Sequence, residues 1–318
     1  MSAAPTPASA PDAAASTERR DDGAGVGEAS LGYDPGWNAS TWVGGEPDPA
    51  PDATLFQRAL SVARLLAFAL ATLALLPLFF AARAMGGRAD RRVAGWWCAC
   101  GAWCCGLSVR RRGAPLGGGG ALLVNHASWL DIMAIGSTAP VHFVAKAEVE
   151  RWPIFGWIGR ISNTVFIARR RAEAKAQEAL LARRAGGGDL LCLFAEGTSS
   201  DGLRVLPFKS SLFSMFFQET GEGDGVASVG IAAQPVTIHY APTPGLPRSF
   251  FGWWGRMPLF PHILNVTRLG AGGVATVIYH PPIDLSRFGD RKALAAEAER
   301  VVRAGLDRMA AESQAPAG

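Results

Sequence analysis

The chain has 318 residues, 49% of them apolar, and a net charge of +4. That length suits one large or two modest domains, and that apolar share is ample for a buried core. The small charge, with no recognised nucleic-acid motif beside its basic clusters, argues against a nucleic-acid partner.

Residues 1–53 are dominated by Ala, Pro, Gly, Ser and Asp. Such a segment buries too little apolar surface to offset the entropy of ordering it, so a disordered tail is expected. It also lacks the basic start and apolar run of a secretory signal.

Residues 54–114 form the next unit. An uncharged apolar run covers 65–82, at the lower length limit for crossing a bilayer, with Arg58 and Arg64 before it and Arg83 after it. A second run, 93–109, places Trp96, Cys100, Trp103 and Leu107 at helical spacing. Either the first run crosses the membrane, or the two runs make a hairpin that dips into one leaflet; we favour the hairpin. Basic clusters at Arg83, Arg88, Arg91, Arg92 and at Arg110, Arg111, Arg112 lie beside these runs, where they suit anionic lipid headgroups. The five cysteines have no paired C-x-x-C spacing, and read as small apolar side chains in a reducing compartment.

From residue 115 to the end a single catalytic domain is expected. Short apolar runs at 121–125, 141–146, 164–169, 189–194, 234–240 and 274–280 have the length and composition of buried strands. Helical stretches alternate with them, including a charged one ended by Gly186, Gly187 and Gly188, and an amphipathic one over 292–309. The predicted fold is therefore α/β, a mostly parallel sheet flanked by helices and preceded by an N-terminal membrane-associated helix pair.

Two segments carry chemistry. In V-N-H-A-S-W-L-D, residues 124–131, a strand ends at Asn125 and places His126 at the sheet edge where α/β folds expose working residues. A histidine can take a proton from a hydroxyl, and one turn brings Asp131 back to fix its tautomer. The G-x-S-x-G elbow of a serine nucleophile is absent, which points to a histidine that activates an acceptor directly. In L-F-A-E-G-T-S-S-D-G, residues 193–202, Glu196 follows a buried strand. A carboxyl there is costly unless it binds substrate or holds a loop through backbone amides.

Taken together and in this order, the segments resemble the glycerolipid acyltransferase family. Its N-H-x-S-x-x-D block matches Asn125, His126, Ser128 and Asp131. Its G-x-x-F-I-x-R block is matched loosely over 163–169, ending at Arg169, and its F-P-E-G-T-R-S block over 194–200. An apolar strand around a proline fits Ala233, Gln234, Pro235 and Val236; Lys146, Pro153 and Gly156 also fall where the family has comparable residues.

The resemblance implies that His126 is the base and Asp131 its orienting partner. It also implies that Asn125, Ser128, Lys146, Arg169, Glu196, Gly197, Thr198, Arg204 and Lys209 line the acceptor site. Neither metal nor organic cofactor is implied; acyl-CoA or acyl-carrier protein would be the donor, and the bilayer would supply a lysolipid acceptor. The implied location is the inner membrane, with the catalytic domain on its cytoplasmic side. One position departs: Ser199 stands where the family usually has an arginine suited to a phosphate. Lysophosphatidate is the leading acceptor, with lyso-ornithine lipid, whose acyltransferases the E-G-T-S-S-D-G variant resembles, as the alternative.

Overall fold

The computed structural model describes residues 50–86, 89–167, 171–219, 226–228 and 230–314. Most of the expected disordered tail, together with Arg88 and Arg169, lies outside these residues. Residues 50–53 are described, and Ala50 and Ala53 pack against the core.

Helix α1, Leu55–Ala84, starts at a reciprocal cap between Thr54 and Gln57. It packs against α2, Ala89–Cys104, as the expected helix pair. The second helix stops earlier than the apolar run suggests. Gly106 takes a left-handed φ of 74°, which glycine adopts without strain, and the chain turns into strand β1, Leu107–Arg112.

Strand β1 falls within the 54–114 segment, yet it is the edge strand of the main sheet. Next come β2 (Gly120–Val124), α3 (Leu130–Thr138), β3 (His142–Lys146), α4 (Pro153–Ile161) and β4 (Val165–Ile167). Then α5 (Arg171–Gly186), β5 (Leu190–Phe194), the short pair β6 (Phe217–Glu219) and β7 (Val226–Ser228), and β8 (Ala233–Ala241) follow. Helix α6 (Leu259–Leu269), β9 (Gly273–Tyr279) and α7 (Arg291–Gln314) complete the fold.

The main sheet has the order β1-β9-β8-β2-β5-β3-β4, and only the β8–β9 pair is antiparallel. It is the mostly parallel sheet expected. Central strand β2 is buried along its whole length, as a strand covered by helices on both faces must be. Four of the free cysteines, Cys98, Cys104, Cys105 and Cys192, are buried as small apolar side chains.

The topology sorts the strand ends. Strands β2, β3, β4, β5 and β8 all deliver their C-terminal ends to one edge. Strands β9 and β1 run the other way, so Arg112 ends near the opposite edge, where it pairs with Glu312 at 2.8 Å. The basic cluster Arg110, Arg111 and Arg112 lies on β1. They are exposed charges along an edge strand, a placement that discourages pairing with another sheet. Arg91, expected at lipid headgroups, is instead turned into the domain. It is mostly buried, donating to His142 Nδ1 and to the Ser162 carbonyl, both at 3.0 Å, and so ties α2 to the domain.

Candidate active site

Strand β2 lies between β5 and β8, and the residue after it fixes everything that follows. Asn125 donates from Nδ2 to the Ile238 carbonyl at 3.0 Å and accepts from the Ile238 amide at 2.8 Å. This side chain thus extends the β2–β8 ladder where the backbone of β2 turns away. Held there, the chain presents His126, whose side chain is 20% exposed, at the edge.

Asp131 sits in the first turn of α3 and is fully buried. Its Oδ2 lies 2.7 Å from His126 Nδ1 and accepts from the amides of Ala127 (2.8 Å) and Ser128 (3.1 Å). Its Oδ1 accepts from the Tyr240 hydroxyl at 2.7 Å. With two backbone amides and a phenol already donating to its oxygens, this carboxyl group serves as an acceptor. It therefore takes the proton on His126 Nδ1 as a donor and leaves Nε2 as the basic nitrogen. The Phe194 ring stacks on the imidazole, centroids 4.0 Å apart and planes 19° from parallel, which limits ring rotation.

The backbone of the turn is held by the segment after β5. Ala195 donates to the Val124 carbonyl at 3.0 Å, and Gly197 turns the chain at a φ of 68°. Glu196 accepts from the His126 amide at 3.1 Å, and the Ser200 amide donates to the His126 carbonyl at 2.8 Å. Both backbone groups of the histidine are thus bonded by the second motif. Burial pushes the Glu196 carboxyl well above the usual carboxylate range, with the His126 and Leu206 amides pulling the other way.

The expected acceptor-site residues divide accordingly. Asn125, Ser128 and Glu196 are fully buried. Asn125 and Glu196 Oε1 bond backbone groups that hold the turn. Thr198 and Ser199 are partly open. Arg204 is held by Asp201 at 2.8 Å. Lys209 is half-buried, and its amide donates to the Ala195 carbonyl. Lys146 ends β3 at the same edge as His126. The expected role of Arg169 concerns a residue outside those described.

Three contributors escaped the sequence: Tyr240, Phe194 as a ring partner, and Trp253, whose amide donates to the Ala127 carbonyl at 2.8 Å. The only available signal was a tyrosine closing the strand 234–240, which says nothing about a carboxylate 109 positions away. Burial and the nearby Asp131 charge raise the Tyr240 phenol well above its ordinary range, so it stays a donor.

A family model described as Acyltransferase matches residues 108–239. A lyso-ornithine lipid O-acyltransferase of Rhodobacter capsulatus is 40% identical over 272 residues, 83% of this chain and 96% of that relative. The chain belongs to the acyltransferase family. Another relative, named 1-acyl-sn-glycerol-3-phosphate acyltransferase, from Neisseria gonorrhoeae, is 37% identical over 109 residues, 34% of this chain and 43% of its own. The solved PlsC acyltransferase of Thermotoga maritima has the same fold, with a TM-score of 0.54 and 22% identity over 80% of this chain and 98% of its own. The family model begins inside β1, which agrees with that strand's place in the sheet of this acyltransferase.

Proposed function

We propose that this acyltransferase esterifies the free hydroxyl of a lyso-ornithine lipid, taking the acyl group from acyl-CoA or acyl-carrier protein. The observation that carries the chemistry is the His126 Nδ1–Asp131 Oδ2 contact of 2.7 Å with the imidazole open at the sheet edge. His126 Nε2 removes the acceptor hydroxyl proton as its oxygen attacks the thioester carbonyl. Collapse of the tetrahedral adduct forms the ester and expels the thiolate, to which the imidazolium returns the proton. Asp131 stabilises the imidazolium between these steps.

The acceptor rests on two supports. Relatives named lyso-ornithine lipid O-acyltransferase match this chain over 272 and 200 residues, against 109 for the Neisseria relative. Ser199 also stands where a phosphate-binding arginine would serve lysophosphatidate. The Neisseria relative favours lysophosphatidate as a second acceptor, reversing the order drawn from the sequence.

The reaction takes place at a membrane surface, on the cytoplasmic side of the inner membrane. Helix α1 has 30 residues, of which only Ser61, Phe79 and Ala82 are buried. Leu66, Leu70 and Leu73 stand 61%, 67% and 68% exposed. The helix is long and apolar enough to cross a bilayer. Both its ends are nevertheless tied to the domain. Ser61 bonds Thr267 at 2.7 Å, and Arg83 bonds the Ile161 carbonyl and Asn163 Oδ1. These anchors are about 33 Å apart along the axis. A helix so bound lies along the domain, which favours seating in one leaflet over crossing.

The test compares lyso-ornithine lipid with lysophosphatidate as acceptors of one acyl thioester, using the full chain on vesicles. Faster turnover of lyso-ornithine lipid is expected. Turnover of lysophosphatidate alone would reassign the acceptor, and turnover of neither would overturn the reading.

A further inference from the structure

The aromatic stretch 250–262 divides into two parts. Phe250, Phe251 and Trp254 go into the core, whereas residues 258–262 open α6, a helix with two different faces. Leu259, His262, Val266 and Leu269 point inward and are buried. Phe260 is 62% exposed and Leu264 37%, one turn apart on the outer face, with Pro258 and Pro261 also exposed. A surface helix of a water-facing domain normally carries charge on that side. Here no charged residue occurs from Pro258 to Thr267.

A lone exposed phenylalanine would be unremarkable. This face is not alone, because α6 packs along α1. The Ser61–Thr267 bond is buried between them, and Arg64 reaches the Thr267 carbonyl at 3.3 Å. Val62 and Leu66 of α1, flanking that anchor, are 57% and 61% exposed. The outer face of α6 therefore adjoins the face of α1 read as lipid-covered. Arg256 and Arg268 bracket it, as basic residues do where an apolar surface meets anionic headgroups.

The inner face meets the catalytic turn. His262 Nδ1 accepts the indole N–H of Trp129 at 3.0 Å, with the two rings edge to face. Trp129 follows Ser128 and precedes α3, within the same loop whose amides hold Asp131. Burial holds the His262 imidazole down at about 4, so at neutral pH it is the neutral acceptor this bond needs.

We propose that α6 is a third lipid-contacting element, seating Phe260 and Leu264 in an anionic bilayer, and that His262 and Trp129 couple this seat to the catalytic turn. This rests on the reading of the chain as an acyltransferase working at a membrane surface. Helix α6 then fixes the height of His126 above the lipid that brings the acceptor hydroxyl, and His262 is a positioning residue.

The experiment uses the full chain on phosphatidylcholine–phosphatidylglycerol vesicles containing the lysolipid. The photoreactive analogue p-benzoylphenylalanine replaces Phe260 in one sample, Leu70 of α1 in a second, and the exposed Arg300 of α7 in a third. Acyl-chain adducts are expected from the first two and none from the third. Adducts at 70 without adducts at 260 would overturn the proposal while leaving the membrane reading intact. A parent chain that acylates neither lysolipid would instead sink the acyltransferase reading.

A second arm compares vesicles with detergent micelles. The double variant Phe260→Asp, Leu264→Asp should lose about tenfold in turnover on vesicles and about nothing in micelles. Equal turnover of variant and parent on vesicles, or equal loss in both media, would count against α6. For the coupling, His262→Leu should lower kcat with KM unchanged, and His262→Gln, which keeps an acceptor, should restore it. An unchanged kcat in the leucine variant would remove His262 from the scheme.

Discussion

The sheet edge that carries His126 and the α1–α2 pair are built on opposite terms. At the edge, polar groups are enclosed and supplied with partners: Asp131 is fully buried with four donors, and both backbone groups of His126 are bonded. In α1 the apolar groups are left uncovered, with Leu55, Phe56, Leu66, Leu70 and Leu73 all more than half exposed. A fold that spends its apolar residues on burial in one region and exposes them in the next is suited to two solvents. Rigidity at the His126 turn comes from hydrogen bonds inside the domain, while on the proposed membrane reading the helix pair leaves its covering to lipid.

The sharpest way to break this comparison is at the base. His126→Ala should reduce acyl transfer roughly 10²–10⁴-fold with an unchanged circular dichroism spectrum, and near-normal turnover would remove the histidine from the mechanism. Next come apolar substitutions in the two regions. Leu123→Ala, in the fully buried β2, should cost about 2–5 kcal/mol in denaturant unfolding. Leu70→Asp should leave that stability within about 0.5 kcal/mol but weaken vesicle co-sedimentation. If Leu70→Asp destabilises the purified chain as much as Leu123→Ala, α1 is a core helix and the contrast fails.

A smaller effect is expected behind the dyad. Tyr240→Phe removes one of the donors to Asp131, which should cost about 1–3 kcal/mol and shift the pH–rate profile of His126. A profile identical to the parent's would make the hydroxyl a bystander. The smallest is a pH effect on stability. His142, His239 and His262 are each held at about 4 against an ordinary 6.5, chiefly by burial. The unfolded chain takes up protons between those values that the folded one refuses. Stability is therefore full above about pH 6.5 and lost as pH falls toward 4. Melting temperatures between about pH 7 and pH 5 should show this decline, and His142→Gln should flatten it.

Strand positions and the parallel sheet were legible in the sequence because each central strand is a short, continuous apolar run, as β2 and β5 show. The dyad was legible because His126 and Asp131 lie one turn apart in the chain. The early end of α2 was not, since Leu107 fits both the helical spacing and strand β1; pairing with β9, far along the chain, decided it. Likewise Glu196 carried the mark of a costly buried carboxyl, but its partner, the His126 amide, depends on two loops meeting.

Local features, then, followed from the sequence alone: the apolar runs, the His126–Asp131 spacing, and the motif order of an acyltransferase. Those properties reside in side chains close together along the chain. Only the tertiary structure decided that Asn125 and Glu196 hold the turn, that Tyr240 completes the Asp131 site, that Arg112 points away from it, and that α6 adjoins α1. Each depends on strand direction or on contacts between distant segments, which packing fixes and local composition does not encode.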